Sequence, residues 1–276
     1  MKPIIKWVGG KSQLAKTIKE MLPPANINTY YEPFFGGGAV LLDLDPTTYK
    51  EAVVSDINPC LINMYTQVRD NVEEVIELLD FLDMAHEQVA DKKAYYYRVR
   101  RLFNSDLNNE DAAAQAARFI YLNKHCFNGL YRVNKKGEFN VPFNGKEDGG
   151  SFDTKHLREV SNRFKDVTFK LCDFEETVKD ATTGDFVFFD SPYAPLTPTS
   201  FTDYTKEGFS YDDHVRLAKL FKELTDRGVY CMLTNHDTEL IRELYKDYNI
   251  KVVDVRRSIN RNGSGRKGAE VIITNY

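Results

Sequence analysis

The stretch Phe186-Val187-Phe188-Phe189-Asp190-Ser191-Pro192-Tyr193 decides how the rest of this chain is interpreted. Its first half is a short run of aromatic and β-branched residues, which is the pattern of a buried strand. Its second half places a carboxylate, a backbone carbonyl ahead of proline and an aromatic ring at the end of that strand. Two hydrogen-bond acceptors beside an aromatic face suit a planar ring that carries an amine, such as adenine with its exocyclic N6. The stretch alone is equally consistent with a buried strand that stops at a proline turn.

A glycine turn and an acid form a second pattern upstream. Tyr30-Tyr31-Glu32-Pro33-Phe34-Phe35-Gly36-Gly37-Gly38-Ala39 precedes Val53-Val54-Ser55-Asp56-Ile57-Asn58. In an α/β unit the first strand ends at such a turn, and an acid that ends the second strand accepts hydrogen bonds from ribose hydroxyls. The G-x-G-x-x-G spacing of dinucleotide sites does not occur here, and no phosphate anchor is obvious. The pattern therefore favours a nucleoside cofactor without pyrophosphate over a nicotinamide dinucleotide.

The segment Lys6-Trp7-Val8-Gly9-Gly10-Lys11-Ser12 ends like a phosphate-binding loop. That loop requires a further glycine where Ile5 stands, so a nucleoside triphosphate site is not predicted.

Composition limits the class of protein. A chain of 276 residues with 42% hydrophobic content can bury one substantial α/β core and a smaller unit. The four cysteines lack the spacing of a zinc site or a disulfide framework, which suggests reduced thiols and no bound metal. No run of residues approaches the ~18 apolar residues of a membrane span, and no apolar signal core opens the chain. We therefore expect a cytoplasmic protein without a membrane partner.

The net charge of -4 conceals three basic segments. Residues 1–20 carry five lysines against one glutamate, and residues 117–146 carry six lysines and arginines against one glutamate. Residues 256–268 carry five lysines and arginines and no acid. Basic segments on an acidic chain fit a protein that contacts DNA with one face. Three unrelated solvated loops would give the same distribution.

Seven strand-like segments, most of them separated by helical patterns, predict an α/β fold with a mostly parallel sheet and a late antiparallel strand. They are residues 30–33, 52–55, 168–171, 186–189, 229–234, 251–255 and 270–274. A long insertion at about residues 61–151 interrupts this alternation. Within it, residues 72–82 and 111–123 are predicted as amphipathic helices, and residues 127–142 as a hairpin.

The predicted hairpin has the composition of a recognition element. One limb carries Leu130, Tyr131 and Arg132, and Pro142 lies on the returning limb. Arginine can bind guanine through O6 and N7, a contact worth about 1–3 kcal/mol of discrimination. An apolar side chain can fill the gap that an extruded base leaves. An ordinary hairpin with its leucine and tyrosine in a core is the alternative interpretation.

Together, these segments resemble the Dam-type (D12 class) DNA adenine-N6 methyltransferases, over nearly the whole chain. The resemblance is carried, in this order, by residues 6–11, 32–38, 56–58, 127–142 and 190–193. It implies a Rossmann-like methyltransferase domain formed by residues 1–60 and 152–276, with residues 61–151 as an inserted helical and β-hairpin DNA-recognition domain. It also implies methyl transfer from S-adenosylmethionine to N6 of an adenine that is flipped out of double-stranded DNA.

The resemblance assigns three groups of residues. In catalysis, Asp190 and the carbonyl of Ser191 accept from N6, Pro192 completes the turn, and Tyr193 stacks on the base. In cofactor binding, Asp56 would hold the ribose, and the group as a whole is Trp7, Lys11, Phe35, Gly36, Asp56, Asp173 and Phe174. The DNA-binding group is Lys6, Asn128, Leu130, Arg132, Asn134, Pro142, Arg256, Arg257 and Arg261.

The target sequence follows from the same resemblance. Lys6, Leu130, Arg132 and Pro142 match positions that contact the site in enzymes recognising GATC, so GATC is the predicted target.

Residues 194–210 are predicted to form a mobile lid, and residues 256–268 a flexible loop that contacts phosphates.

Ser191 departs from the family, which usually has a second proline at this position. Serine still supplies the carbonyl but lacks the φ restraint of proline. A DNA-binding protein with impaired catalysis therefore stays open as an alternative. An N-methyltransferase that acts on RNA or on a protein amide is the other.

Overall fold

The computed structural model describes residues 1–11, 14–106, 111–146, 149–195, 208–256 and 267–276, without the side chains of residues 255, 256, 267 and 268. The chain divides into two compact units. The first, called the helical unit, consists of Met1–Ser12, Gly36–Asp43 and Asp56–Leu171. The second, called the sheet unit, consists of Gln13–Phe35, Leu44–Ser55 and Cys172–Tyr276.

The strands fall close to the predicted segments. They are β1 (Ile27–Glu32), β2 (Tyr49–Asp56), β3 (Val167–Leu171), β4 (Phe186–Phe189), β5 (Tyr230–His236), β6 (Asn249–Arg256) and β7 (Lys267–Thr274). Six of them lie in the sheet unit, in the order β2-β1-β4-β5-β7-β6. Neighbours from β2 to β5 pair in parallel, whereas β7 is antiparallel to both β5 and β6. The prediction of a mostly parallel α/β sheet with a late antiparallel strand is confirmed.

The centre of the sheet unit is an apolar strand covered by a helix. All four residues of β4 are buried, as expected for a parallel strand with both faces covered. The helices that the structure describes in this unit are α1 (Ala15–Glu20), α8 (Phe174–Thr177), α9 (Tyr211–Asp226) and α10 (Glu239–Leu244). Of these, α9 is the longest and packs against the core. Phe221 of α9 packs 6.2 Å from Phe189, centroid to centroid. This packing anchors the end of β4.

The helical unit is built around one buried helix. Its helices are α2 (Ala39–Asp43), α3 (Pro59–Asp70), α4 (Val72–Gln88), α5 (Lys92–Ser105), α6 (Ala112–His125) and α7 (Thr154–Phe164). Small residues such as Ala116 and Ala117 let α6 pack closely against α3, α4 and α5. Each of four helices starts behind a side chain that accepts a backbone N–H, which stabilises the helix start. These residues are Asn58, Asp91, Asp111 and Asp153.

The structure of the insertion differs from the prediction in two ways. The segment 127–142 is not a regular hairpin, since it consists of a 3-10 turn at Phe127–Gly129 and two isolated antiparallel bridges, Cys126 with Phe143 and Val133 with Phe139. Helix α5 was not predicted at all, although Tyr96, Val99 and Phe103 lie on its buried side at helical spacing. The proposed role of residues 61–151 as a separate domain stays a prediction.

Within the part of the chain that the structure describes, every helix is too short or too polar to span a bilayer.

Candidate active site

The predicted catalytic turn begins where β4 ends, in the sheet unit. Strands β4 and β5 pair with Phe189 opposite Leu233, so Asp190 and Thr234 follow at the same level. The Thr234 hydroxyl donates to Asp190 Oδ1 at 2.9 Å. A neutral donor therefore orients this carboxylate at the carboxyl end of the strand, and the Asp190 side chain stays partly exposed.

The carbonyl of Ser191 belongs to a turn that a buried amide holds. Asn235 of β5 has no exposed surface, and its Oδ1 accepts from the backbone N–H of Ala194 at 2.8 Å. Its Nδ2 donates to Ser191 Oγ at 3.4 Å. One asparagine thus contacts the turn on both sides of the exposed Pro192. The serine hydroxyl takes part in this restraint, which a second proline in its place would not.

Tyr193 is held at two points. Its hydroxyl donates to Glu270 Oε2 at 2.8 Å, and its ring lies edge-on to His236 at 4.7 Å between centroids. His236 Nδ1 is 2.8 Å from the carbonyl of Ala194, which can only accept, so Nδ1 carries the proton. Burial raises the pKa of Tyr193 well above its ordinary value, and the carboxylates of Asp190 and Glu270 add to this shift. The hydroxyl is therefore a donor at neutral pH.

The glycine turn in the helical unit is filled by an indole. Gly36 has a φ of +49°, and a Cβ at this position would lie 2.9 Å from Trp7 Cδ1. A Cβ at Gly37 would lie 3.1 Å from Trp7 Cβ. The glycines are therefore needed for the close approach of Trp7, which is a protein side chain. This packing places the predicted cofactor residues Trp7 and Gly36 in direct contact.

Asp56 at the end of β2 is held by backbone donors. Its Oδ2 accepts from the Gly36 N–H and its Oδ1 from the Asn58 N–H, each at 2.9 Å. Burial raises the pKa of this carboxyl, and the hydrogen bonds from Asn58, Gly36 and Ile57 oppose the shift. A carboxylate has about four acceptor sites, so these donors do not fill it. The remaining capacity fits a hydroxyl group of a nucleoside.

Aromatic contacts connect this acid to the segment after α6. The Tyr131 ring lies 5.3 Å from the Trp7 ring, and the Tyr131 hydroxyl lies 4.0 Å from Cys60 Sγ at the start of α3. Burial raises the pKa of the Cys60 thiol, which disfavours the thiolate. Pro59 is the first residue of α3, and Asn58 caps it by accepting from the Cys60 N–H. Tyr131 therefore belongs to an aromatic cluster with Trp7 and Phe119, a position that the sequence did not indicate.

Two other predicted cofactor residues are buried. Lys11 is 6% exposed, and its ammonium donates to the carbonyl of Gly9 at 2.8 Å. In the sheet unit, Phe35 is buried, and its N–H donates to the carbonyl of Ser55 at 2.9 Å. Their predicted contacts with a ligand stay predictions.

Asp173 and Phe174 lie at the start of α8 in the sheet unit. The Asp173 carboxylate caps α8 by accepting from Glu175 N–H at 3.0 Å, and it also pairs with Arg216 at 3.2 Å. Phe174 is buried and stacks on Phe34 at 5.3 Å. Asp173 thus has structural partners of its own, and its predicted contact with a cofactor amine stays untested.

A buried asparagine organises the predicted DNA-binding turn. Asn123 of α6 accepts from the Lys6 N–H at 2.9 Å and donates to the Lys6 carbonyl at 2.8 Å. The same amide donates to the Gly129 carbonyl at 3.1 Å. Gly129 is obligatory here, because a Cβ would lie 2.7 Å from Lys6 Cβ. Lys6 is therefore brought against the turn that carries Asn128 and Leu130.

The next predicted DNA-binding residues, Arg132, Asn134 and Pro142, lie in the segment after α6 that contains the two isolated bridges. Arg132 is exposed, and its Nε donates to Asn140 Oδ1 at 2.7 Å. Asn134 is turned inward to the reversal, where its Nδ2 donates to Glu138 Oε2 at 2.7 Å. Pro142 is exposed, and its carbonyl accepts from the Phe127 N–H at 2.9 Å. A guanidinium has five donors, so Arg132 keeps donors for a base edge.

Some predicted residues fall outside the described structure. Arg257 and Arg261 and most of the predicted lid, residues 196–207, lie outside the described residues, as does the Arg256 side chain.

Five residues at these sites escaped sequence interpretation: Asn123, Thr234, Asn235, His236 and Glu270. A signal existed for three of them, since Thr-Asn-His follows the apolar part of β5 just as the predicted catalytic residues follow β4. Parallel neighbours bring such residues to one edge of a sheet. Asn123 and Glu270 had no local signal, because their partners are 117 and 77 residues away.

Comparison with known proteins places these features in context. The model of the family described as D12 class N6 adenine-specific DNA methyltransferase matches residues 7–259. The chain is 43% identical to the type II methyltransferase M.MjaIII of Methanocaldococcus jannaschii, over 100% of this chain and 99% of that protein. It is 42% identical to M1.LlaDCHI of Lactococcus lactis subsp. cremoris, over 100% and 96%. It is 35% identical to a DNA adenine methylase of Vibrio cholerae, over 98% and 94%.

Proposed function

The chain belongs to the D12 class of N6 adenine-specific DNA methyltransferases, and from this premise we propose that it methylates a flipped-out adenine within GATC in double-stranded DNA. It is an adenine-specific DNA methyltransferase that uses S-adenosylmethionine. When bound, that cofactor supplies a methyl group on a positively charged sulfur. We further propose that residues 61–151 recognise the target, that residues 1–60 and 152–276 form the catalytic domain, and that the enzyme works in the cytoplasm.

The observation that carries the catalytic proposal is the oriented turn from Asp190 to Tyr193. The N6 lone pair of adenine is delocalised into the ring, so the nitrogen is a poor nucleophile. Acceptors placed on its hydrogens favour the pyramidal nitrogen that reacts, and a fixed position adds to the rate. Asp190, held by Thr234, is the charged acceptor, and the Ser191 carbonyl is the second. Tyr193 provides the stacking face, and Asp190 stabilises the positive charge that develops on N6.

The cofactor proposal rests on Asp56 and its neighbours. Asp56 has two backbone donors that fix its carboxylate and leaves acceptor capacity, which suits the ribose hydroxyls. Trp7 packs on Gly36 and Gly37, and it is assigned to the methionine part of the cofactor. Lys11, Phe35, Asp173 and Phe174 complete the proposed set.

The DNA proposal rests on the cluster of Lys6 with the turn after α6. A base inside a duplex cannot be reached, so the adenine must leave the stack at a cost of roughly a few kcal/mol. Stacking on Tyr193 and insertion of Leu130 offset this cost. The proposed DNA-binding set around that leucine is Lys6, Asn128, Arg132, Asn134 and Pro142. A second group, Arg256, Arg257 and Arg261, is assigned to phosphates.

Replacement of Arg132 tests the target assignment. Arg132→Ala should cost about 1–3 kcal/mol on the cognate site and relax discrimination at one guanine. The measurement is methylation of a plasmid that carries every tetranucleotide, read by base-resolved sequencing. Lys136→Ala is the matched control. Because this lysine of the same segment is exposed, its loss should weaken the binding of DNA of every sequence to the same extent. Unchanged discrimination in Arg132→Ala, or wild-type methylation confined to a motif without GATC, would contradict the assignment.

Replacement of Ser191 tests the turn. Ser191→Pro should give equal or faster methyl transfer, because the ring restrains φ and presents the carbonyl. The free energy of unfolding should fall by about 1–2 kcal/mol, since the buried Asn235 amide loses a partner. Ser191→Ala separates the effects: it should show the same loss of stability without the gain in rate. A collapse of the rate in Ser191→Pro with the fold preserved would assign the hydroxyl a role of its own.

A further inference from the structure

Two residues from neighbouring strands converge on Tyr193. His236 of β5 and Glu270 of β7 are direct partners in the antiparallel ladder. Directly opposed residues of such a pair have their side chains on one face of the sheet, about 4.5–5.5 Å apart. His236 lies against the Tyr193 ring, and Glu270 accepts a hydrogen bond from the Tyr193 hydroxyl. Because β7 runs antiparallel to β5, Glu270 is paired with His236.

We propose that Glu270 is a positioning residue, which sets the orientation of the Tyr193 ring for stacking on the target base. The inference rests on the proposed role of Tyr193 and adds to it a residue 77 positions away. Glu270 touches the far end of the ring, so it acts through Tyr193 and not on the base itself.

The chemistry of the contact supports a fixed orientation. A tyrosine side chain rotates about two bonds, and a stacking contact needs both angles set before the base arrives. A phenol that donates to a carboxylate forms a charge-assisted hydrogen bond, which is shorter and stronger than a neutral one. The hydroxyl stays a donor, since its pKa is raised by burial and by the two nearby carboxylates.

The second contact removes the remaining freedom. The His236 ring lies at 73° to the Tyr193 ring, an edge-to-face arrangement that aromatic pairs prefer. His236 is itself fixed by its bond to the carbonyl of Ala194, the residue after Tyr193. Rotation of the tyrosine would therefore break the contact with Glu270 and disturb the contact with His236 together.

The test is a double-mutant cycle of Tyr193→Phe and Glu270→Ala, read by the single-turnover rate of methyl transfer to plasmid DNA. Each single variant should lower the rate about tenfold, which corresponds to the loss of one oriented contact. The double variant should be no slower than either single variant, because both remove the same hydrogen bond. Glu270→Gln should recover most of the rate, since its amide oxygen can accept from the hydroxyl.

A spectroscopic signal separates positioning from general loss of structure. With 2-aminopurine in place of the adenine that the plasmid assay identifies, Glu270→Ala should change the emission of the bound duplex, as a differently oriented Tyr193 ring quenches it differently. Glu243→Ala is the matched control, because this exposed glutamate pairs only with neighbouring Lys246 among the contacts described. It should leave rate and emission unchanged.

The outcomes distinguish this inference from the proposed function. Additive losses in the cycle, or a wild-type rate in Glu270→Ala, would overturn the role of Glu270. Tyr193→Ala removes the ring and should lower the rate far more than Tyr193→Phe. If Tyr193→Ala were fully active, the stacking role itself would fail, whatever the result for Glu270.

Discussion

Asp190→Ala is expected to lower the single-turnover rate of methyl transfer by about 10²–10³-fold, the range for removal of one oriented group that stabilises the charge developing in the transition state. The variant loses the charged acceptor for N6, while β4 and its packing on α9 are untouched. The rate is measured by incorporation of labelled methyl groups into unmethylated DNA, with circular dichroism as the check on folding.

Two controls sharpen this result. Asp190→Asn keeps the size of the side chain and an oxygen for the Thr234 hydroxyl but removes the charge, so it should be nearly as slow as the alanine variant. Asp226→Ala removes an exposed aspartate of the sheet unit, paired with Lys222, and should leave the rate unchanged. A folded Asp190→Ala protein that retained more than a few per cent of wild-type turnover would show that Asp190 is not the acceptor.

Asp56→Ala is expected to weaken S-adenosylmethionine binding by about 10–100-fold, because each hydrogen bond to a charged group contributes roughly 1.5–3 kcal/mol. DNA affinity should change by no more than about twofold, since the proposed partner of Asp56 is the ribose and not DNA. Titration calorimetry with the cofactor and with unmethylated duplex measures the two affinities separately.

The control for Asp56 addresses its structural bonds. The carboxylate also accepts from Gly36 and Asn58, so its loss could act by loosening the start of α3. Asn58→Ala removes the cap of α3 and leaves the carboxylate in place, so its effect on cofactor affinity should be much smaller. Equal losses in both variants, or unchanged affinity in Asp56→Ala, would remove Asp56 from the ligand contacts.

The parts of the fold that follow from local pattern were predictable from sequence. Strand β4 has an apolar run that ends at Asp190, and the second half of β2 has a short apolar run, Ala52 to Val54, that is followed by Ser55 and Asp56. Both acids stand where strands end, because a carboxylate cannot continue a buried strand without a partner. The late antiparallel strand β7 was also recognisable from its run of β-branched residues, Val271-Ile272-Ile273-Thr274.

The segment after α6 was predicted less well for a physical reason. The turn-like Lys135-Lys136-Gly137 in its middle suggested two paired limbs, but side chains replace much of the backbone pairing. Asn134 Oδ1 accepts from the N–H groups of Lys136 and Glu138, and Asn104 exchanges two hydrogen bonds with Phe139. Such bonds compete with a regular ladder, and their partners cannot be identified from a local pattern.

The residues that support the site were beyond sequence interpretation for a related reason. Asn123 and Glu270 are ordinary polar residues within a helix and a strand, and nothing nearby in sequence marks them. Their importance comes from partners that only the sheet register and the packing of α6 bring within reach. Buried polar groups require partners, so Asn123 and Asn235 become conspicuous once their burial is known.

Methylation of adenine by this chain can be measured by mapping modified bases in DNA from cells that lack adenine methylation and express the chain, beside cells that express Asp190→Ala. The expected result is N6-methyladenine at GATC sites with the wild-type chain and none with the variant. Absence of N6-methyladenine with the wild-type chain, or equal modification with the folded variant, would contradict it.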